Sequence, residues 1–204
     1  EIESGEMEIN YFNKSKDVHV YKEKVSLNLE LLRQNTRDDM QAIVAVHESG
    51  HAVTSLILLK ILPDLIYSVT ADPEMGGFVY SKYIWKYVAK NQIIPRLAMF
   101  LGGYAAEKII FGEEYLTAGA ESDITTATMF VIDMLKNQGM GKQLGLFHTK
   151  HFLSNEYLHD NDNAISNEAQ QMISQALSLA EVTLKAQSGL LLRMADYLSD
   201  NQKM

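Results

Sequence analysis

Three observations predict a mainly α fold that carries one small β-hairpin and ends in a pair of helices. Apolar residues recur at spacings of three and four along separate helical segments. Two short runs of β-forming residues flank one cluster of turn residues, Asp72-Pro73-Glu74-Met75-Gly76-Gly77. The chain has 204 residues and no internal repeat, which suits one compact domain with a sizeable core, or one domain plus an appendage.

Residues 1–35 are polar and mixed, and the alternation of Val25, Leu27, Leu29 and Leu31 predicts a short strand there. A first helix is predicted from Thr36 to Leu62. Thr36 is its candidate N-cap, Asp38 and Asp39 are acidic residues in its first turn, and Pro63 is its stop. The runs 65–71 (LIYSVTA) and 78–83 (FVYSKY) are the hairpin strands. A second helix is predicted over Asn91–Phe111, with Pro95 tolerated in its first turn and Gly112 just past its end. Residues 112–121 form a loop. A third helix starts at Ser122, the candidate N-cap, and ends by Gly139. Residues 140–163 are expected to be irregular, with NEYLHDNDN mobile. Two helices follow, 164–186 and 189–200.

Composition narrows the chemistry. Hydrophobic residues make up 47% and charged residues 22%, as in soluble globular domains. The net charge of -8, with no basic stripe, argues against nucleic-acid binding. The chain contains no cysteine, so neither a disulfide nor a thiolate metal site is available. Any zinc must be held by His and carboxylate. The most apolar run, 42–66, contains His47, Glu48, His51, Lys60 and Asp64 and is too polar for a membrane span. No signal peptide is visible, and the chain does not begin with Met, so it is read as a fragment lacking its N-terminal part.

The first helix carries H-E-S-G-H at 47–51. A spacing of four returns both imidazoles to one helix face, about one turn apart. Two imidazoles so placed can grip one zinc ion, and Glu48 can reach a water beside it. A zinc hydrolase needs a third protein ligand. Thr54 and Ile57 stand where a metzincin places glycine and histidine, which excludes that class. His148 and His151 lie in a predicted loop and read as solvated surface. Asp123, at a helix start where the dipole favours its charge, and Glu107, on the second helix, are both candidates. Spacing does not choose between them.

Beyond the motif, the chain resembles the peptidase domain of the FtsH-type ATP-dependent, membrane-anchored zinc metalloproteases. The matching pieces occur in the family's order: VHESGHAV at 46–53, LGGYAAEKIIFGE at 101–113, TAGAESDITTAT at 117–128 and GMGKQLG at 139–145, then the paired C-terminal helices. The resemblance covers residues 36–203. It implies a helical metalloprotease domain over 36–204, with 1–35 as an N-terminal segment, the remnant of a linker to a missing ATPase module. It implies one zinc ion held by His47, His51 and Asp123, Glu48 as catalytic base, and Glu107 close to the metal without ligating it. It also implies that a substrate strand is received along Gly76, Gly77, Phe78 and Val79, where the glycines allow close backbone approach.

The implied partners are polypeptide substrates and an AAA+ ATPase module in cis or trans, in a homo-oligomer that is hexameric in the full-length family. Nucleic acid is not among them, and membrane contact comes only through segments absent here. The implied location is the cytoplasmic, matrix or stromal face of a membrane. Ser49 stands where the family commonly has Ala, and Glu121-Ser122 where an Asn commonly precedes the ligand. No G-x-x-x-x-G-K-[ST] phosphate loop occurs in the chain, so ATP enters only through another module. The alternative is a catalytically inactive assembly module of the same fold, marked by loss of a ligand or of the base. Neither loss occurs.

Overall fold

The computed structural model describes residues 5–13, 18–27, 36–68, 77–82, 88–142 and 156–204. The predicted fold class stands: helices dominate, a small hairpin follows the motif helix, and two helices close the chain. Near the N-terminus, strands β1 (Gly5–Asn13) and β2 (Val18–Leu27) pair antiparallel from Gly5↔Leu27 to Asn13↔Val18, with a register shift between Tyr11 and Phe12. The strand expected around Val25–Leu31 thus lies earlier, and residues 28–35 fall outside the described set.

Helix α1 (Thr36–Thr54) carries the H-E-S-G-H motif. It does not continue as an α-helix to Leu62. A π-helical turn over Ser55–Leu59 follows and closes at Lys60, whose φ of 60° lets its N–H donate to Ser55 O. The Ser55 hydroxyl donates to Ile61 O at 3.2 Å. The widened turn unwinds the helix before Pro63, whose ring disfavours helical backbone at the residue before it. By length and composition Met40–Leu59 could cross a membrane, but half of it is buried within the fold. Its apolar character is that of a core helix.

Strands β3 (Leu65–Ser68) and β4 (Gly77–Tyr80) pair antiparallel from Leu65↔Tyr80 to Ser68↔Gly77. The other edge of β3 meets the C-terminal residues. Ile66 N–H donates to Met204 O at 2.8 Å, Met204 N–H to Ile66 O at 2.9 Å, and Ser68 N–H to Gln202 O at 2.9 Å. Among the described residues, the outer edge of β4 has no strand partner.

The single helix expected over 91–111 is two: α2 (Ile93–Phe100) and α3 (Gly102–Phe111), broken at Leu101. The break precedes a glycine pair of weak helix propensity. It also serves packing. A side-chain carbon on Gly102 would come within 2.7 Å of Gly50 O, and one on Gly50 within 2.6 Å of the Ala106 Cβ. Helices α1 and α3 therefore cross backbone against backbone. Gly112, at φ 93°, ends α3 as the sequence predicts.

Helix α4 (Glu121–Asn137) starts one residue before the predicted cap. Ala120 holds the cap position, and Ser122 lies inside the first turn. The capping hydroxyl belongs instead to Thr117, which accepts from Gly119 N–H at 3.2 Å in the preceding 3-10 turn. Helix α5 (Glu156–Ala186) begins eight residues before the expected start, so 156–163 are helical rather than irregular. With only the adjacent Tyr157 and Leu158 apolar, that stretch shows no period, yet Glu156 suits a helix N-terminus. Helix α6 (Ser188–Asn201) ends the fold.

The main core joins Val46 and Val53 of α1 to Leu97, Ala105, Ala106, Val131, Leu135, Ala180, Leu184 and Leu191. A second, smaller cluster of Ala45, Ala52, Ile66 and Leu198 seats the β3–β4 sheet on α1 and α6.

Candidate metal centre

Three polar atoms converge above α1. His47 Nε2 lies 2.9 Å and His51 Nε2 3.0 Å from the same oxygen, Oδ2 of Asp123. The two imidazole nitrogens are 3.1 Å apart. Donors on a tetrahedral zinc, each at ~2.0–2.1 Å, stand roughly 3.3 Å from one another, close to this triangle. The donor set of two imidazoles and one carboxylate is also the one expected of zinc in a cysteine-free chain. The residues therefore fit a zinc ion.

The far side of each imidazole fixes which nitrogen faces that triangle. His51 Nδ1 sits 2.8 Å from Met99 O at the end of α2, and a carbonyl only accepts, so Nδ1 carries a proton and Nε2 is the nitrogen whose lone pair a neutral ring offers to the triangle. His47 Nδ1 donates to Glu107 Oε1 at 2.7 Å. Glu107 is itself held through its other oxygen, which accepts from Thr117 N–H at 3.1 Å and from the Thr117 hydroxyl at 2.9 Å. Glu107 is 1% exposed, not a solvated helical carboxylate, and it touches His47 but stands outside the triangle. Its position on α3 brings it over α1 only because Gly103 leaves room. A side-chain carbon there would strike the His47 ring.

The charges are coupled. Burial works against a charged His47, but hydrogen bonds to Asp123 and Glu107 and the nearby Glu48 charge outweigh it, raising His47 to about 9. Burial also opposes the charge on Asp123, yet both imidazoles hold that carboxyl well below the usual carboxylate range. Glu107 is lowered in the same way, burial being outweighed by His47 and the two Thr117 bonds. Glu48 goes the other way: burial pushes its carboxyl up, partly offset by His51 and His47. Next to it Ser49 is fully buried, and its hydroxyl has no hydrogen-bond partner among the described residues, which costs roughly 1–3 kcal/mol.

The hairpin lies beside Glu48. A side-chain carbon on Gly77 would come within 2.6 Å of Glu48 Oε1, so only glycine lets the β4 backbone approach this carboxylate so closely. Phe78 pairs with Tyr67 across the sheet, their rings 5.5 Å apart, and Val79 packs on the smaller core cluster. Gly76, His148 and His151 fall outside the described residues. Met99, Gly103 and Thr117 are the site residues that spacing did not reveal. Gly103 and Thr117 lie within the LGGYAAEKIIFGE and TAGAESDITTAT blocks, which was the one available signal.

Comparison with known proteins gives the same direction. The chain is 32% identical over 162 residues to "ATP-dependent zinc metalloprotease FtsH 2" of Sphaerobacter thermophilus, covering 76% of this chain and 24% of that protein. It is 28% identical to "ATP-dependent zinc metalloprotease FtsH" of Neorickettsia risticii, covering 93% of this chain and 31% of that one. Against "ATP-dependent zinc metalloprotease FTSH 11, chloroplastic/mitochondrial" of Arabidopsis thaliana the identity is 26%, with 93% and 23% covered. The chain spans less than a third of each of these relatives. The profile of peptidase family M41 matches residues 34–202, nearly the whole sequence, and the chain belongs to that family.

Proposed function

We propose that this chain is a zinc endopeptidase, the peptidase part of an ATP-dependent protease. The convergence of His47 Nε2, His51 Nε2 and Asp123 Oδ2 beside the Glu48 carboxylate carries the reading. His47, His51 and Asp123 would hold one zinc ion. Bound zinc supplies Lewis acidity, lowering the pKa of a water to roughly 7 and polarising the scissile carbonyl.

The chain's own residues do the rest. Glu48 takes the proton of the attacking water and delivers it to the leaving amine nitrogen. Its burial lifts its proton affinity toward the working range of a general base. Glu107 and Met99 O hold the two imidazoles by their Nδ1 protons, which keeps both Nε2 atoms as ligands and raises ligand basicity. The substrate backbone adds as a strand along Gly76, Gly77, Phe78 and Val79. The outer edge of β4, without a strand partner among the described residues, and the closeness of Gly77 to Glu48 support this assignment.

Residues 36–204 form the peptidase unit in this reading, with 1–35 leading toward an ATPase module. Substrates are polypeptides made accessible by that AAA+ partner in cis or trans, within a homo-oligomer, hexameric when whole. The names of the relatives, ATP-dependent zinc metalloproteases, support the ATP-dependent part of this extension.

The test uses the purified chain. Zinc is expected at one ion per chain by elemental analysis, and casein cleavage is expected to stop with a chelator and return with zinc. Glu48→Gln is expected to keep its zinc and lose turnover by at least about a hundredfold. Wild-type cleavage by that variant would overturn the assignment of the base. A full complement of zinc with no cleavage by the wild type would leave a scaffold of the same fold.

A further inference from the structure

Helix α1 offers the hairpin a stripe of four residues, Gln41, Ala45, Glu48 and Ala52, each about one turn from the next and so on one face. Ala45 and Ala52 flank Glu48 and pack with Ile66 of β3 and Leu198 of α6. Their small side chains let the sheet lie low over the carboxylate. Gln41, at the far end of the stripe, is buried, and its side-chain N–H groups donate to the backbone oxygen and the hydroxyl of Ser68.

Ser68 is fully buried, and all of its polar groups are engaged away from β4. Its N–H donates to Gln202 O at 2.9 Å, its carbonyl accepts from Gln41, and its hydroxyl donates to Leu198 O at 3.0 Å. Leu198 O also receives Gln202 N–H at 2.8 Å, the bond that ends α6. Directly across the sheet from Ser68 stands Gly77, the residue packed on Glu48. A continuous set of contacts thus runs from the end of α6 through Ser68 to Gly77 and Glu48.

The geometry points to Ser68 as a positioning residue, and to Gln202–Met204 as a third strand of the substrate-binding sheet, which together set the height of β4 over Glu48. This rests on the reading of β4 as the edge that receives substrate. An edge strand held on one side only by a four-residue neighbour would be free to shift. The C-terminal residues make that neighbour the centre of three strands, and the Gln41–Ser68–Leu198 bonds pin it to two helices. The buried bonds replace an apolar contact with a directional one and so fix a single register.

The test compares Ser68→Ala and Met204→Pro with the wild type in the whole chain. Met204→Pro removes the N–H that bonds Ile66 O at an exposed position. It decides the matter alone if Ser68→Ala fails to fold. Each protein is assayed on a long peptide that can line β4 and on a short one confined to the residues around the cleaved bond. For the long peptide, KM is expected to rise roughly tenfold with kcat within about twofold, and the short peptide is expected to be cleaved as before. Zinc content should stay at the wild-type level, while amide hydrogen exchange at Phe78–Tyr80 speeds up.

Unchanged KM and unchanged exchange would overturn the proposal. So would an equal loss on both peptides, which a purely structural role produces. A wild type that shows no preference for the long peptide would remove the edge-strand reading itself, and this inference with it.

Discussion

At the scale of single residues, His47 is the hinge of the site's electrostatics. In the metal-free protein its folded pKa is raised from 6.5 to about 9. A charged His47 therefore contributes stability fully below about pH 6.5, and the contribution fades as pH climbs through about 9. Asp123 and Glu107, both lowered, contribute in the opposite sense: above their unfolded values, with loss on acidification through the folded ones. Zinc requires a neutral imidazole. At pH 7 binding is thus expected to expel about one proton per ion, and zinc affinity to rise with pH toward about 9. Calorimetry in buffers of different ionisation enthalpy measures that number, and zero would show that His47 is already neutral. His47, Glu48 and His51 could be read from the sequence because a helix converts spacing into a face. Asp123 could be named from its helix start only as one of two candidates, since its partners are 72 and 76 residues away, and the family blocks alone preferred it to Glu107. Met99 acts through its carbonyl, and no side-chain pattern announces that.

At the scale of elements, the crossing of α1 and α3 decides whether the site forms. Gly50 and Gly102 let two backbones meet, and this brings Glu107 over His47. Gly102→Ala is expected to cost about 1–3 kcal/mol in overpacking, despite the better helix propensity of alanine. It should also weaken zinc binding, because α3 carries the group that orients a ligand. Thermal unfolding and a zinc titration measure the two effects, and a stabilised variant would refute the packing argument. The same contact explains why one helix was expected over 91–111 where two exist: the local period continues through Leu101, and the demand for a break comes from α1. Local signals sufficed where the stop was strong, at Gly112. They failed where pattern was weak, as at 156–163, or where hydroxyls stood close together, so that Thr117 rather than Ser122 became the cap.

For the molecule as a whole, the proposed site for cutting stands in a sequence with no phosphate loop for powering unfolding. Purified alone, it is expected to cleave casein but to leave a stably folded protein intact, with ATP making no difference. Gel analysis of both substrates with and without ATP checks this, and ATP-stimulated loss of the folded protein would contradict it. The wide spacing of the three metal-facing residues has one more consequence. A chain without cysteine has no covalent cross-link to limit its unfolded state. In the proposed zinc site, an ion held between α1 and α4 would close a loop of about seventy residues in the way a disulfide would, restricting the disordered chain and holding the folded one together. Unlike a disulfide, this staple comes and goes with the free concentration of its ion, so the surroundings set how durable the molecule is as well as whether it can work.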